Sequence, residues 1–198
     1  MGLIHPDAEV DGGADIDPTA FVWALAHIRT NATIGAECSV GRGAYIGPGV
    51  TVGARTKIQN YALVYEPAVI GEGVFVGPGA ILTNDRHPRA VTPDGDLKTA
   101  ADWDPVGVRI SGGASVGAGA ICVAPVSIGQ WAMVAAGATV VADVPDYALV
   151  AGSPARQIGW VGRAGSRLVR CSSGASRWRC AATGDLYEES GDTLRAVD

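Results

Sequence analysis

Along most of this chain an aliphatic residue returns at every sixth position. From Ile16 the steps land on Val22, Ile28, Ile34, Val40, Ile46, Val52, Ile58, Val64, Ile70, Val76 and Leu82, and Ile4 and Val10 carry the phase back towards the start. A second run holds Ile110, Val116, Cys122, Ile128, Val134 and Val140. A period of six is neither that of a helix nor that of an alternating strand, so it predicts a solenoid in which each hexad forms one face of a coil. Three hexads close one triangular turn. Each aliphatic side chain is then expected to point inward and stack on its equivalent one coil away. Gly follows the aliphatic residue in "IGAECS", "VGRGAY", "IGPGVT", "VGARTK", "IGEGVF" and "VGPGAI". Such a corner position suits Gly because of a positive φ or because the backbones pass too closely for a Cβ.

The step from Leu82 to Ile110 is 28, which is not a multiple of six, so residues 83–109 break the phase. This stretch, "TNDRHPRAVTPDGDLKTAADWDPVGVR", is polar for most of its length. An excursion of that size in a compact solenoid is characteristic of a functional or a disordered segment. Its ending, "WDPVGV", suits a loop that crosses to a neighbouring subunit and folds over a cleft.

Composition narrows the partners. Apolar residues make up 47% and charged residues 18%, which excludes disorder for most of the chain. A formal net charge of -5, with no basic cluster interleaved with aromatics, argues against nucleic acid. "MGLIHPDAEV" has no secretory-leader character and no apolar run reaches bilayer length, so the expectation is a cytoplasmic protein without a membrane partner. Cys38, Cys122, Cys171 and Cys180 are too scattered for a disulfide framework, and free thiols are expected. "CSSGASRWRCAATG" has two thiols and no His, which cannot complete a tetrahedral zinc site, so no metal is expected.

The tandem [LIV]-G-x-x-x-x hexads, with the ending "ATVVADVPDYALVAGSPARQIGWV", resemble the hexapeptide acyltransferases. The resemblance implies an all-β fold, a left-handed parallel β-helix, acetyl-CoA as co-substrate and a homotrimer. A narrower resemblance is carried by "VFVGPGAILTNDRHPRA", "KIQNYALVYEPAVIGEGVFVGP", "FVWALAHIRTNATIG" and "CAATGDLYEES". These look like the nucleotide-sugar 3-N-acetyltransferases, which act on UDP-linked 2-acetamido-3-amino-glucuronic acid or dTDP-linked 3-amino-3,6-dideoxyhexoses. Thr83, Asn84, Pro88 and Arg89 fall on that family's T-N-x-x-x-P-R positions. The chain departs from the pattern at Ala24, where the family often has His, at Ala142, where Lys is frequent, and at Ala135, where Gly is frequent. The organisation expected is a β-helix over residues 1–161, with the excursion at 83–109, and a C-terminal extension over 162–198 forming a short docked hairpin.

Acetyl transfer to an amine requires a thioester carbonyl beside a neutral nitrogen, donors for the developing oxyanion and a proton acceptor. The chain has three His, at positions 5, 27 and 87. His87 lies in the excursion and has the chemistry of a base at neutral pH, whereas the resemblance implies that Asn84 orients the amine and that the leaving sulfur of coenzyme A collects the proton. Asp85 suits either a sugar ammonium or a turn cap, and Arg89 either a carboxylate or diphosphate or a surface ion pair. Tyr65 and Glu66, which replace the usual Gly in "VYEP", are candidates for the sugar pocket. His27 is read as a structural histidine or a substrate ligand. For the cofactor, Arg156 is the phosphate candidate and Trp131 a contact for the adenine or pantetheine arm. The resemblance adds Ala136 and Gly137 as backbone donors beside the pantetheine. Three other readings stand beside this one: a hexapeptide acyltransferase of serine or a simple sugar, a metal-binding β-helix of the carbonic-anhydrase type, and a purely structural β-helix cap.

Overall fold

The computed structural model describes residues 2–171 and 176–197. Strands of mostly two residues follow one another along the chain and pair in parallel with the strand one coil later. The register is 18 residues: Ile58 pairs with Val76, Val64 with Leu82, and Ile70 with Val52. Three parallel sheets result, hereafter faces I, II and III in chain order, beginning at Leu3–Ile4, Glu9–Val10 and Asp15–Ile16. This is a parallel β-helix, and among the described residues all regular structure apart from a 3₁₀ turn at Ala100–Asp102 is β. Among the described residues no helix is long and apolar enough to cross a membrane.

The interior uses two positions per hexad. From Val22 onwards the aliphatic ladder is buried as the period predicts, whereas Ile4 and Val10 in the first coil are exposed; the residue two places before each buried member is buried too: Ala20, Ala26, Ala32, Cys38, Ala44, Ala62, Ala68 and Ala80 among others. Alternation along a strand turns both positions to the same side, and small residues at one of them let the prism close around the large ones at the other. Thr56 is the polar member of the inner row. Its hydroxyl donates to the Gly71 carbonyl at 2.8 Å and accepts from the Val74 amide at 3.1 Å, so the buried oxygen is satisfied on both counts. Cys122 takes an aliphatic place in the ladder, where burial pushes its thiol up to about 12. All four cysteines are free.

The two reasons offered for glycine at the corner belong to two different positions. Directly after the aliphatic residue, a Cβ on Gly53 would lie 2.6 Å from the Gly71 carbonyl carbon and 2.7 Å from the Glu72 nitrogen, so there the need is proximity between coils. The positive φ falls two residues later, at Gly43, Gly49, Gly73 and Gly79, and also at Asn31, Arg55, Tyr61 and Trp131.

Face III shows how the excursion is inserted. Ile70 pairs with Ile110, 40 residues on instead of 18, so 22 residues have been added between faces II and III of one coil. The solenoid resumes at Val108, and after the excursion the three faces continue in their old order.

At the far end Ala148–Gly152 and Ala155–Trp160 form an antiparallel hairpin on face I. Beyond it the extension is larger than the hairpin expected from sequence: Leu168–Arg170, Arg177–Cys180, Leu186–Ser190 and Thr193–Val197 make a four-stranded antiparallel sheet. Residues 172–175 lie outside the described part. The alternation in "DLYEES" and "TLRAV" belongs to two of these four strands. The sheet is tied to the solenoid by Glu189, which accepts from the Trp160 indole at 3.1 Å while also accepting from the Trp178 indole of its own sheet at 2.9 Å, and by Tyr187, whose ring packs on Tyr147 and whose hydroxyl accepts from the Arg163 amide at 3.0 Å.

Candidate active site

The edge between faces II and III carries most of the chemistry. On its successive coils, the position directly after the aliphatic residue is Asp11, Arg29, Gly47, Tyr65, Thr83, Val123 and Val141. On the edge between faces III and I the same position is Gly35, Gly53, Gly71 and Gly129, with only Asp17 and Ser111 breaking the series. At the III/I edge this corner position is therefore given over mainly to stacking, and at the II/III edge it presents side chains.

The mouth of the excursion is fixed to the solenoid. The Thr83 amide donates to the Cys122 carbonyl at 3.0 Å, and the Thr83 hydroxyl accepts from the Ala124 amide at 2.9 Å. The Asn84 carbonyl accepts from the Val106 amide at 3.2 Å, which brings the outgoing and returning strands together. The backbone of Asn84 is thus held on both sides while its side chain stays half-buried at the rim. Asn84, Asp85 and Arg89 line a cleft with Lys98, Thr99, Asp102 and Trp103. Asp85 and His87 line an adjoining one of about 400 Å³ together with Lys98, Asp102 and Trp103.

Individual expectations divide. The Asp85 carboxylate accepts from the His87 amide at 2.8 Å, so it caps the turn. His87 and Arg89 are exposed, and a terminal nitrogen of Arg89 donates to the Pro88 carbonyl at 2.9 Å. Lys98, Asp102 and Trp103 were missed by sequence reasoning. Their signal was "TAAD": Thr99 caps the 3₁₀ turn, and the Asp102 carboxylate returns to the Thr99 amide at 2.9 Å, a capping box that turns Trp103 back towards Asn84.

Tyr65 and Glu66 occupy the coil below, at the same edge. Glu66 Oε2 is buried and has no hydrogen-bond partner among the described residues, and a Cβ on Gly47 would lie 2.4 Å from it. A carboxylate oxygen placed so is costly unless a ligand donor reaches it. The Tyr65 ring lies 5.2 Å from that of Tyr45, which meets His27 edge-on at 5.8 Å. His27 belongs to an ion network: its Nε2 is 3.2 Å from Asp11 and its Nδ1 3.8 Å from Glu9. Arg29 donates to the other oxygen of Asp11 at 2.8 Å, and this bond, followed by that to His27, holds the Asp11 carboxyl below its ordinary value. Glu9, Asp11 and His27 are close enough together to be considered as metal ligands. The two ring nitrogens nevertheless face different carboxylates and a guanidinium already neutralises Asp11, which is the arrangement of an ion-pair network and suits a divalent cation poorly.

The cofactor candidates stand elsewhere on the prism. Ala136 and Gly137 are exposed at the edge between faces I and II, with open space beside Gly137. Trp131 is at the third edge, where its ring covers Gly113 and the Arg163 guanidinium lies 5.8 Å from its centroid. Arg156 is exposed on the hairpin and donates to the Ala155 carbonyl at 2.9 Å. Within one chain these residues and Asn84 do not share an edge.

Residues 49–84 match the family model of the bacterial transferase hexapeptide (six repeats). Over that segment the chain carries the repeat that the family model describes. Among curated relatives it is 52% identical over 56 residues to a dTDP-3-amino-3,6-dideoxy-alpha-D-galactopyranose 3-N-acetyltransferase of Aneurinibacillus thermoaerophilus, a match covering 28% of this chain and 29% of the relative. It is 44% identical over 71 residues to serine acetyltransferase 4 of Arabidopsis thaliana, covering 36% and 19%. These matches span less than a third of each relative's length. Among solved structures, a hexapeptide-repeat acetyltransferase of Vibrio cholerae in complex with acetyl coenzyme A superposes with a TM-score of 0.53 at 22% identity, covering 67% of this chain and 72% of that one. At that identity the hexapeptide-repeat fold is what the two share.

Proposed function

We propose that this hexapeptide-repeat protein is an acetyl-CoA-dependent N-acetyltransferase that acts on the 3-amino group of a nucleotide-linked amino sugar. The observation that carries the reading is Asn84 on a pinned mouth: a side-chain amide at the rim of a polar cleft, on a backbone held by Cys122, Ala124 and Val106. The dTDP-3-amino-sugar acetyltransferase, at 52% identity over the matched segment, supports the choice of acceptor. In the reaction the neutral amine attacks the thioester carbonyl, a C–N bond forms, the C–S bond breaks, and the amine proton ends on sulfur. Thiolate and amine have comparable proton affinities, so the sulfur serves as the acceptor and Asn84 supplies a carbonyl oxygen that orients the nitrogen lone pair. His87, exposed beside the cleft, is the other candidate base.

The orphan Glu66 oxygen and Tyr65, one coil below, form the sugar side of this site, and Arg89 suits a carboxylate or diphosphate. His27, which is tied to Asp11 and Glu9, holds the wall on which Tyr45 and Tyr65 stack. The test is direct: incubation with acetyl-CoA and a panel of UDP- and dTDP-linked 3-amino sugars, with L-serine and simple sugars alongside, following thiol release. Turnover is expected with a 3-amino nucleotide sugar. Acetylation of serine alone would transfer the protein to the reading suggested by its serine acetyltransferase relatives.

Ala136, Gly137, Trp131 and Arg156 supply the coenzyme A side. Because they and Asn84 lie on different edges of one chain, a complete site takes the loop of one copy and the edge of a neighbour, and a homotrimer provides three equivalent such junctions. Light scattering is expected to give three times the 20.1 kDa chain mass, and a fully active monomer would rule the arrangement out. Arg156→Ala is expected to raise KM for acetyl-CoA by about tenfold or more while KM for the sugar stays near its original value, the loss of one charge-assisted bond. Equal weakening for both substrates would point to damage in the terminal hairpin.

A further inference from the structure

A second concave site lies at the edge between faces I and II, where a groove of about 430 Å³ is lined by His5, Trp23, Ser39, Arg42, Gln59 and Asn60. Like the II/III edge, this edge departs from the repeat. His5, Trp23 and Gln59 stand at the corner position that is Gly in the neighbouring coils at Gly41, Gly77 and Gly117. Coil stacking does not call for an indole there, and Trp23 is 49% exposed. Its ring is held by a hydrogen bond from Nε1 to the Ser39 hydroxyl at 3.4 Å.

The hydrogen-bond inventory around the indole is one-sided. Asn60 Oδ1 accepts from the Arg42 amide at 2.9 Å, which leaves the Asn60 amide nitrogen as its free group. Arg42 Nε reaches the Tyr61 hydroxyl at 3.4 Å, leaving both terminal nitrogens of the guanidinium. His5 Nδ1 accepts from the Asp7 amide at 3.1 Å, a bond that puts the neutral ring's proton on Nε2. What remains around the aromatic platform is mainly donors. A ligand matching it has a flat π-face, carbonyl acceptors on its rim and an anionic group at one end.

We propose that this groove binds a pyrimidine nucleotide, with the base stacked on Trp23, its carbonyl edge towards Asn60 and Gln59, and a phosphate at Arg42. The choice of ligand rests on the nucleotide-sugar reading above, of which this would be the nucleotide subsite. The upper end of the groove, Asn60, is one coil below the coil that carries Asn84, and face II separates the two edges. Base stacking on an aromatic and phosphate capture by a guanidinium are each sizeable, separable contributions.

The experiment is equilibrium binding to the full chain of UDP, dTDP, uridine, thymidine, 3′,5′-ADP and acetyl-CoA, for the native protein, Trp23→Ala and Arg42→Ala. UDP or dTDP is expected to bind, and each variant to weaken it by about tenfold or more without changing acetyl-CoA affinity. Trp23→Ala should weaken the nucleoside too, whereas Arg42→Ala, a change at an exposed side chain, should spare it. Binding of UDP and dTDP that neither variant alters overturns the assignment, as does preferential loss of 3′,5′-ADP, which would make the groove an adenosine site of coenzyme A. The two readings fail separately. Amino-sugar turnover with an unaltered KM in both variants removes the subsite and leaves the reaction. Trp23-dependent pyrimidine nucleotide binding without amino-sugar acetylation keeps the subsite and removes the reaction.

Discussion

Asn84→Ala is expected to lower kcat by about 10²-fold or more while KM for acetyl-CoA stays close to that of the native protein. The reason is geometric. A repeat of two-residue strands presents flat walls, and Asn84 is the second residue after the chain leaves the wall at Leu82. Its neighbours fix it there: Thr83 is bonded to the next coil through Cys122 and Ala124, and the Asn84 carbonyl meets Val106. An amide so placed aims a lone pair without moving, and truncation removes the aim but leaves the cleft. His87→Ala is expected to be milder, because His87 is exposed and its backbone serves the Asp85 turn. The opposite ranking, a nearly active Asn84→Ala beside a dead His87→Ala, would hand the proton to His87 and sink the assignment.

Gly53→Ala is expected to destabilise the fold far more than Gly73→Ala, by about 3 kcal/mol against about 1 kcal/mol. Both glycines sit at edges of the solenoid, and their sequence context looks alike. At Gly53 a methyl group would lie 2.6 Å from the Gly71 carbonyl carbon and 2.7 Å from the Glu72 nitrogen, and backbone in a neighbouring coil cannot turn aside as a side chain can. At Gly73 the space is open and the cost is the positive φ of 65° alone. The chain already accepts that second cost at Asn31, Arg55 and Tyr61. Denaturant titration of the two variants checks the ranking, and equal losses would show that the stacking distance is softer than the geometry states.

The architecture was legible in the sequence because a solenoid is a local code. Each hexad repeats the same demand, so Ile58, Ile70 and Val76 needed no knowledge of distant parts of the chain to be placed inside, and the 18-residue register followed from three faces per coil. The alanine row at the second inner position is equally periodic and could have been read from Ala20, Ala26 and Ala32. The interruption at 83–109 was legible for the same reason, as a failure of phase, and Asn84 as its exit came from the resemblance of "TNDRHPR".

Other features required the fold. Lys98, Asp102 and Trp103 reach the Asn84 cleft only because a capping box and the Asn84–Val106 bond bend the excursion back on itself. The four-stranded sheet at the end of the chain has no repeat to announce it, and its anchoring depends on Glu189 meeting Trp160 and Tyr187 meeting Tyr147. The edges, too, are a property of the coil: Trp23, Gly41 and Gln59 are neighbours only once residues 18 apart are stacked. From Val22 onwards the hydrophobic period determined by itself which side chains are inside, since burial repeats with the backbone wherever a coil is covered on both sides. Which polar side chains meet was decided by three-dimensional closure, since that depends on which edge each one occupies and on where the loop returns.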